Sequence, residues 1–333
     1  MKRTRVIWIL TIVMVFLLSM SSAMAEGVKK PDNFPVKPIR MLIPYAAGGN
    51  SDMNARKLAE IIEVNKLMPQ KIIVTNMQGS NTMECFNALF GADPDGHTLV
   101  LQHTAILTLP AYGIVNYTME DVDAVCEVLE QPLIIFARSE APYNNTAELL
   151  EYVKNNPDVK IPFGLPGVGS SGQTGAEIFL TESGLRDHML LVFYGGGGNT
   201  LSAQLGGEVI LSGGFATDGM RYVHSGELKA IAVSGDRRLD ILPEVECFAE
   251  LGFENNYMTR QGIWATKGTP PEVLAYLADV FRQACDTDSY REYLKIQGCE
   301  EAYRGPEDWK AIMQADRVQI EALVEKLGLK VEQ

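Results

Sequence analysis

The sequence predicts an α/β protein built as two lobes, and three observations carry that prediction. Short apolar runs alternate with amphipathic stretches along nearly the whole chain, as β-α units on mainly parallel sheets do. The 333 residues are enough for two separate cores. No internal repeat, low-complexity tract or flexible linker divides them. The lobes are therefore expected to exchange strands rather than hang on a tether.

The first segment stands apart from the fold. Lys2, Arg3 and Arg5 precede an apolar run, Val6 to Leu18, broken only by Thr11, and Ala23-Met24-Ala25 follows it. Basic start, apolar middle and small-residue site read as a secretory signal peptide over residues 1–25, cleaved near Ala25. The apolar run is shorter than the roughly 20 residues that span a bilayer. A periplasmic location is therefore expected. Cleavage would leave 333 − 25 = 308 residues with net charge (29 − 3) − 42 = −16. So acidic a chain argues against nucleic acid as a partner, because phosphates need a basic face.

The elements follow in order. Ile39 to Pro44 reads as a strand, and Ala55, Leu58, Ala59 and Ile62 mark one face of a helix. Lys71 to Thr75 is a strand. Thr82 to Phe90 is a helix, with Gly91 suited to a left-handed C′ position. Asp93-Pro-Asp-Gly96 is a turn, and His97 to Gln102 and Leu133 to Arg138 are strands. Asn145-Thr-Ala-Glu148 opens a helix, and Lys160 to Gly164 is a strand. Thr174-Gly-Ala-Glu177 has the form of a capping box, which predicts a helix starting there. Leu190 to Tyr194, Val209 to Leu211, Leu228 to Ser234 and Gly262 to Ala265 read as strands. Thr269-Pro-Pro-Glu272 is a second capping box with Pro270 in the first turn. Helices then run to Leu327, punctuated by Gly298 and Gly305-Pro306.

Cys85, Cys126, Cys247, Cys285 and Cys299 include no C-x-x-C pair, and buried free thiols are the favoured reading. Four scattered His residues with no H-x-x-x-H spacing predict no metal site, and no cofactor is expected.

Chemistry is carried by three loops of one design, each after a strand, rich in Gly or small residues, and before a helix. They are Pro44 to Asp52, Gly164 to Thr174 and Tyr194 to Thr200. Glycine lets the backbone approach a ligand, and a helix N-terminus offers unpaired N–H groups and positive potential. Such loops bind anions without Lys or Arg, so an acidic protein can hold a carboxylate. Gly167-x-Gly169-x-x-Gly172 imitates a dinucleotide fingerprint but lies in mid-chain, and Gln173 stands where a phosphate loop needs Lys. Ser170 and Ser171 are not in a G-x-S-x-G elbow. Asp52 is expected to cap the following helix. His103, just after a strand, is a candidate for ligand contact or for a structural hydrogen bond.

Phe34 to Asp52, with its Lys-Pro-Ile-Arg and Gly-Gly-Asn-Ser-Asp, closely resembles the opening of the tripartite tricarboxylate transporter substrate-binding proteins, the Bug family. The resemblance continues through Ala92 to Val100, Gly164 to Ser171, Tyr194-Gly195, Gln204 to Val209, Ser225 to Ala232 and Gly268 to Glu272. It implies a type II-like periplasmic-binding-protein fold with two crossovers and a ligand in the interlobe cleft. One lobe would comprise residues 26–132 with 255–333, the other residues 133–254. The implied activity is capture of a small carboxylate (a di- or tricarboxylate, aromatic acid or amino acid), with no catalysis. The implied partner is a two-component integral-membrane permease, served by a monomer. One carboxylate would be held by Tyr45, Ala46, Ala47, Gly48, Gly49, Asn50, Ser51 and Asp52 together with Gly167, Val168, Gly169, Ser170, Ser171 and Gln173. Gln102, His103, Thr104, Tyr194, Gly195 and Gly196 would shape the rest. On this reading a Val at Gly49 or Gly169 should abolish binding and leave the fold intact. The sequence departs from the family pattern at Ala47, at Gln173-Thr174, over Leu242 to Glu250, and within Ser212 to Phe215, where a family Asp is replaced. A ligand sensor for a signalling partner would have the same fold and site. An exported hydrolase would have to use Ser171, His103 or Asp52.

Overall fold

A computed structural model describes residues 28–255 and 257–331. The expected signal peptide lies outside them. The chain begins with β1 (Ile39–Ile43), α1 (Asn50–Val64), β2 (Ile72–Asn76), α2 (Met83–Phe90), β3 (Thr98–His103), α3 (Ala105–Ala111) and β4 (Val122–Pro132). Then come β5 (Ile134–Arg138), α4 (Thr146–Asn155), β6 (Ile161–Leu165), α5 (Ser171–Glu182), β7 (Met189–Phe193), α6 (Gly197–Leu205), β8 (Leu211–Gly214), α7 (Ala216–His224) and β9 (Leu228–Val233). The last elements are β10 (Met258–Thr266), α8 (Pro271–Cys285), α9 (Asp288–Gln297), β11 (Glu300–Arg304) and α10 (Pro306–Leu327).

These strands form two sheets, in the orders β11-β4-β10-β3-β1-β2 and β7-β6-β8-β5-β9. The chain leaves the first sheet at the end of β4 and enters the second through Leu133 alone. It returns at β10. These two passages realise the strand exchange that the missing linker implied. They also correct the expectation of mainly parallel sheets. β1 pairs parallel with β2 and β3, and β6 with β7 and β8. β10 runs antiparallel to β3 and β4, and β5 to β8 and β9. The strand that receives the chain after each passage lies antiparallel in the middle of its new sheet, so both sheets are mixed.

Local sequence explains most element borders. In β1 only Arg40 faces water, and the other four side chains are buried, as in a strand covered on both faces. On α1 the buried apolar stripe is Ala55, Leu58, Ile61 and Ile62. Asn145 caps α4 as expected, its side chain accepting from the Glu148 N–H at 2.9 Å. Other borders shift. α5 starts at Ser171, not at Thr174, because the Ser170 hydroxyl caps it by accepting from the Gln173 N–H at 3.0 Å. Thr174 and Glu177 are fully buried inside that helix, and Glu177 pairs with Arg186 at 2.6 Å instead of reaching back. α8 begins at Pro271, with the Thr269 hydroxyl donating to the Thr266 carbonyl. Gly91 ends α2 at φ −83°, so no left-handed turn is made there.

The largest apolar core joins the two sheets. It runs from Leu42, Val100 and Trp264 through Ile106, Leu109 and Tyr112 around α3 to Leu165, Ala176 and Phe179. A second core lies under α1 and α8, around Ile39, Leu58, Ile263 and Phe281. All five cysteines are buried and none is in a disulfide.

Candidate ligand-binding cleft

A cleft of about 1130 Å³ opens between the sheets, beside α3. From the second sheet it is lined by the loop after β6 with the first turn of α5 (Pro166, Gly167, Val168, Ser170, Ser171, Gly172) and by the loop after β7 (Tyr194 to Gly197). Both loops sit at carboxyl ends of strands and run into helix N-termini, where α/β sheets collect ligands. Helix geometry leaves the N–H groups of Ser171 and Gly172 without intrahelical acceptors, and likewise those of Gly197 and Gly198 in the first turn of α6. Gly167 at φ +146° and Gly196 at φ +129° hold conformations that a side chain would strain.

From the first sheet the wall is Pro44, Tyr45 and His103, then Ala105 and Leu109 of α3, Gly113 and Ile114. Tyr45 and His103 stack, with ring centroids 4.8 Å apart and planes at 9°. The Tyr45 hydroxyl donates to the Gln102 Oε1, which also accepts from the His103 N–H at 2.9 Å. The Ala105 N–H donates to His103 Nδ1 at 3.1 Å. Nδ1 is thus an acceptor, so the neutral ring carries its proton on Nε2. Burial pushes the imidazole pKa down to about 4, which keeps the ring neutral at pH 7.

Nine of the twenty residues expected from the sequence therefore line the cleft: Tyr45, His103, Gly167, Val168, Ser170, Ser171, Tyr194, Gly195 and Gly196. The other eleven lie outside the lining. Ala46, Ala47, Gly48 and Gly49 are exposed at the start of α1, with Gly49 as its N-cap. Asp52 is not the cap. From the third helical position it reaches back to accept from the Gly48 N–H at 2.8 Å, and Arg56 lies 2.9 Å away. Burial would raise its pKa, but Arg56 and the Gly48 N–H outweigh that and hold it below the usual range. Asn50 donates to Gln131 at 2.8 Å, and Ser51 accepts from Gln261 at 3.3 Å, tying α1 to β4 and β10. Gln102 and Thr104 are fully buried behind the wall, and the Thr104 hydroxyl accepts from the Arg260 N–H at 2.8 Å. Gln173 accepts from the Gly169 N–H at 2.7 Å, and the Gly169 carbonyl accepts from the Thr108 hydroxyl of α3 at 2.6 Å. Gly169 thus spends its N–H on the first turn of α5 and its carbonyl on α3, and only the carbonyl contact reaches from one lobe to the other.

Several lining residues escaped the sequence reading. Ser80, Asn81 and Thr82, after β2, hold φ of 46°, 50° and 78°. Three successive non-glycine residues in the left-handed region are uncommon, and no periodicity signals them. Phe215 and Asp218 come from the N-cap and first turn of α7, and Val331, whose N–H donates to the Tyr112 carbonyl at 2.9 Å, from the C-terminal segment. No Lys or Arg lines the cleft among the described residues.

Two mixed sheets joined by two passages, with a cleft between them walled by helix N-termini, define a two-lobed solute-binding protein. A family model described as the tripartite tricarboxylate transporter family receptor matches residues 54–329, and this chain belongs to that family. A Cupriavidus necator protein described as a UPF0065 protein in the gbd 5′ region is 30% identical over 301 residues, 90% of each chain. Protein BugT of Bordetella pertussis is 26% identical over 314 residues, 92% of this chain and 94% of its own. Among solved structures, the periplasmic binding protein BugD superposes with a TM-score of 0.77 at 27% identity, over 90% of this chain and all of that one. The Rhodopseudomonas palustris protein MatC, solved with bound malate, shares the fold at a TM-score of 0.74 and 24% identity, over 87% of this chain and 100% of its own.

Proposed function

We propose that this chain is exported through its leader, residues 1–25, and takes a small carboxylate in the cleft between its lobes for delivery to a two-component permease. One lobe is residues 26–132 with 255–333, the other residues 133–254, and closure about the two passages would enclose the ligand. The observation that carries the reading is a cleft onto which the N-terminal turn of α5 opens, beside that of α6, with no Lys or Arg in its lining among the described residues. Backbone N–H groups, the hydroxyls of Ser170 and Ser171 and the neutral His103 would supply the donors. Nothing in the wall needs to be consumed or regenerated, which suits capture and release. Membership of the tripartite tricarboxylate transporter receptor family supports transport as the setting.

The test is thermal unfolding of the purified protein, stripped of ligand by unfolding and refolding, against di-, tri-, aromatic and amino carboxylates. A ligand at 100 times its dissociation constant should add about 2.7 kcal/mol of stability. A rise of the midpoint with one class supports the reading. No rise with any carboxylate refutes it.

A further inference from the structure

The acidic residue in the cleft wall has a consequence for the ligand. Asp218 lies in the first turn of α7, and its Oδ2 accepts from the Phe215 N–H at 2.9 Å. Its Oδ1 has no hydrogen-bond or ion-pair partner among the described residues, and the side chain lines the cleft. The carboxyl lies against the first turn of α6, where a Cβ on Gly197 would sit 2.8 Å from Oδ1. It also occupies the space beside Gly214, where a Cβ would lie 3.4 Å from Oδ2. The protein has thus placed its own carboxylate at one of the two helix N-termini that could have taken a ligand's. The other, at Ser170 to Gly172, is open to the cleft. The cleft is therefore bipolar: amide donors and positive potential at α5, a half-satisfied acceptor at Asp218.

Resting on the carboxylate reading above, we propose that Asp218 determines specificity by binding a cationic amine, so that the ligand is an aminated carboxylate rather than a plain di- or tricarboxylate. Its carboxylate lies on the α5 turn and its ammonium on Asp218 Oδ1. A second carboxylate in place of the ammonium would face a like charge with no Lys or Arg in the wall to offset it. Burial already raises the Asp218 carboxyl above its usual range, opposed only by the Phe215 N–H, and a bound ammonium would supply the missing counter-charge.

The experiment uses matched pairs differing by one amine: succinate and aspartate, glutarate and glutamate, propionate and β-alanine. Affinities are measured by calorimetry on wild type and on Asp218→Asn. Asparagine keeps an acceptor for the Phe215 N–H, and an unchanged unfolding midpoint of the free variant shows the fold intact. In wild type the aminated member of the best pair should bind at least tenfold tighter than its partner, and D218N should reduce that preference tenfold or more. If the plain acid binds as tightly or tighter, or if D218N keeps the preference, the role of Asp218 is refuted while carboxylate capture stands. If no carboxylate of either kind binds, the carboxylate reading falls and this inference with it.

Discussion

Substitution of Gly169 by Ala tests how the two lobes are held. Gly169 sits at φ +71°, and a Cβ there would lie 2.3 Å from Ile114 Cδ1. The other neighbours, Tyr112 Cβ at 3.4 Å and Leu109 Cδ2 at 3.5 Å, would be in ordinary contact. The left-handed backbone costs an L-residue about 1–2 kcal/mol. Ile114 can yield by rotating, at about 1 kcal/mol for an off-rotamer side chain. The sum is about 2–3 kcal/mol, since the Thr108 and Gln173 hydrogen bonds prevent Gly169 from moving aside. At roughly 2 °C for each kcal/mol in a chain of this size, the midpoint should fall by roughly 4–6 °C. Urea unfolding of G169A, I114A and the double variant separates the parts. In the I114A background G169A should cost only the backbone share, about 1–2 kcal/mol. A loss below about 0.5 kcal/mol in wild type, or the same loss in both backgrounds, would show that Gly169 is not seated on α3. From sequence alone, a bulky residue here was expected to remove binding from an intact fold. The contacts instead predict a less stable protein.

Two further outcomes follow from buried groups. The His103 pKa falls to about 4 in the fold from 6.5 in the open chain, so its contribution is complete above pH 6.5 and is lost as pH drops from 6.5 towards 4. Discounted for partial solvent contact, the loss is about 2 kcal/mol. Urea unfolding at pH 7 and pH 4.5 should show a pH difference smaller by about that amount in H103Q than in wild type. An equal difference would mean that His103 is not held neutral. Gly262→Ala should destabilise by about 3 kcal/mol, because its Cβ would meet Trp309 at 2.4 Å and the Cys126 carbonyl at 2.8 Å. A midpoint within 2 °C of wild type would contradict that packing.

What the sequence displayed and what it hid divide on physical lines. Strands such as β1 and β3 announce themselves because their runs, IRMLI and TLVLQH, are apolar but for Arg40 in the first and carry an unbroken Leu-Val-Leu in the second. β4 does not, because Asp123, Glu127 and Glu130 interrupt it. The structure shows why that strand tolerates them. Glu127, fully buried, lies between Arg260 at 3.5 Å and Arg304, Glu130 lies 2.8 Å from Arg304, and Asp123 lies 3.2 Å from Lys267. Every one of those partners is more than a hundred residues away in the chain, so no local window could pair them. The short helix α3 was hidden for another reason: Pro110 inside it and β-branched residues at 106 and 108 lower its helical signal, and it forms because both lobes pack on it.

The candidate site divides the same way. Glycine loops at the ends of β6 and β7 were legible because the need for glycine is local: positive φ, and backbone N–H groups left free by the helix that follows. Asp218 carried no signal in the sequence that links it to a site. Its importance depends on Gly197 and Gly214, one on another helix and one on the adjoining strand, leaving room for its carboxyl. The replacement of a family Asp within Ser212 to Phe215 was visible in the sequence, but it looked like the loss of a charge. In the fold Gly214 of that stretch borders a carboxyl offered from the next helix. The cleft therefore keeps a negative group, and a ligand that complements it must bring a positive one.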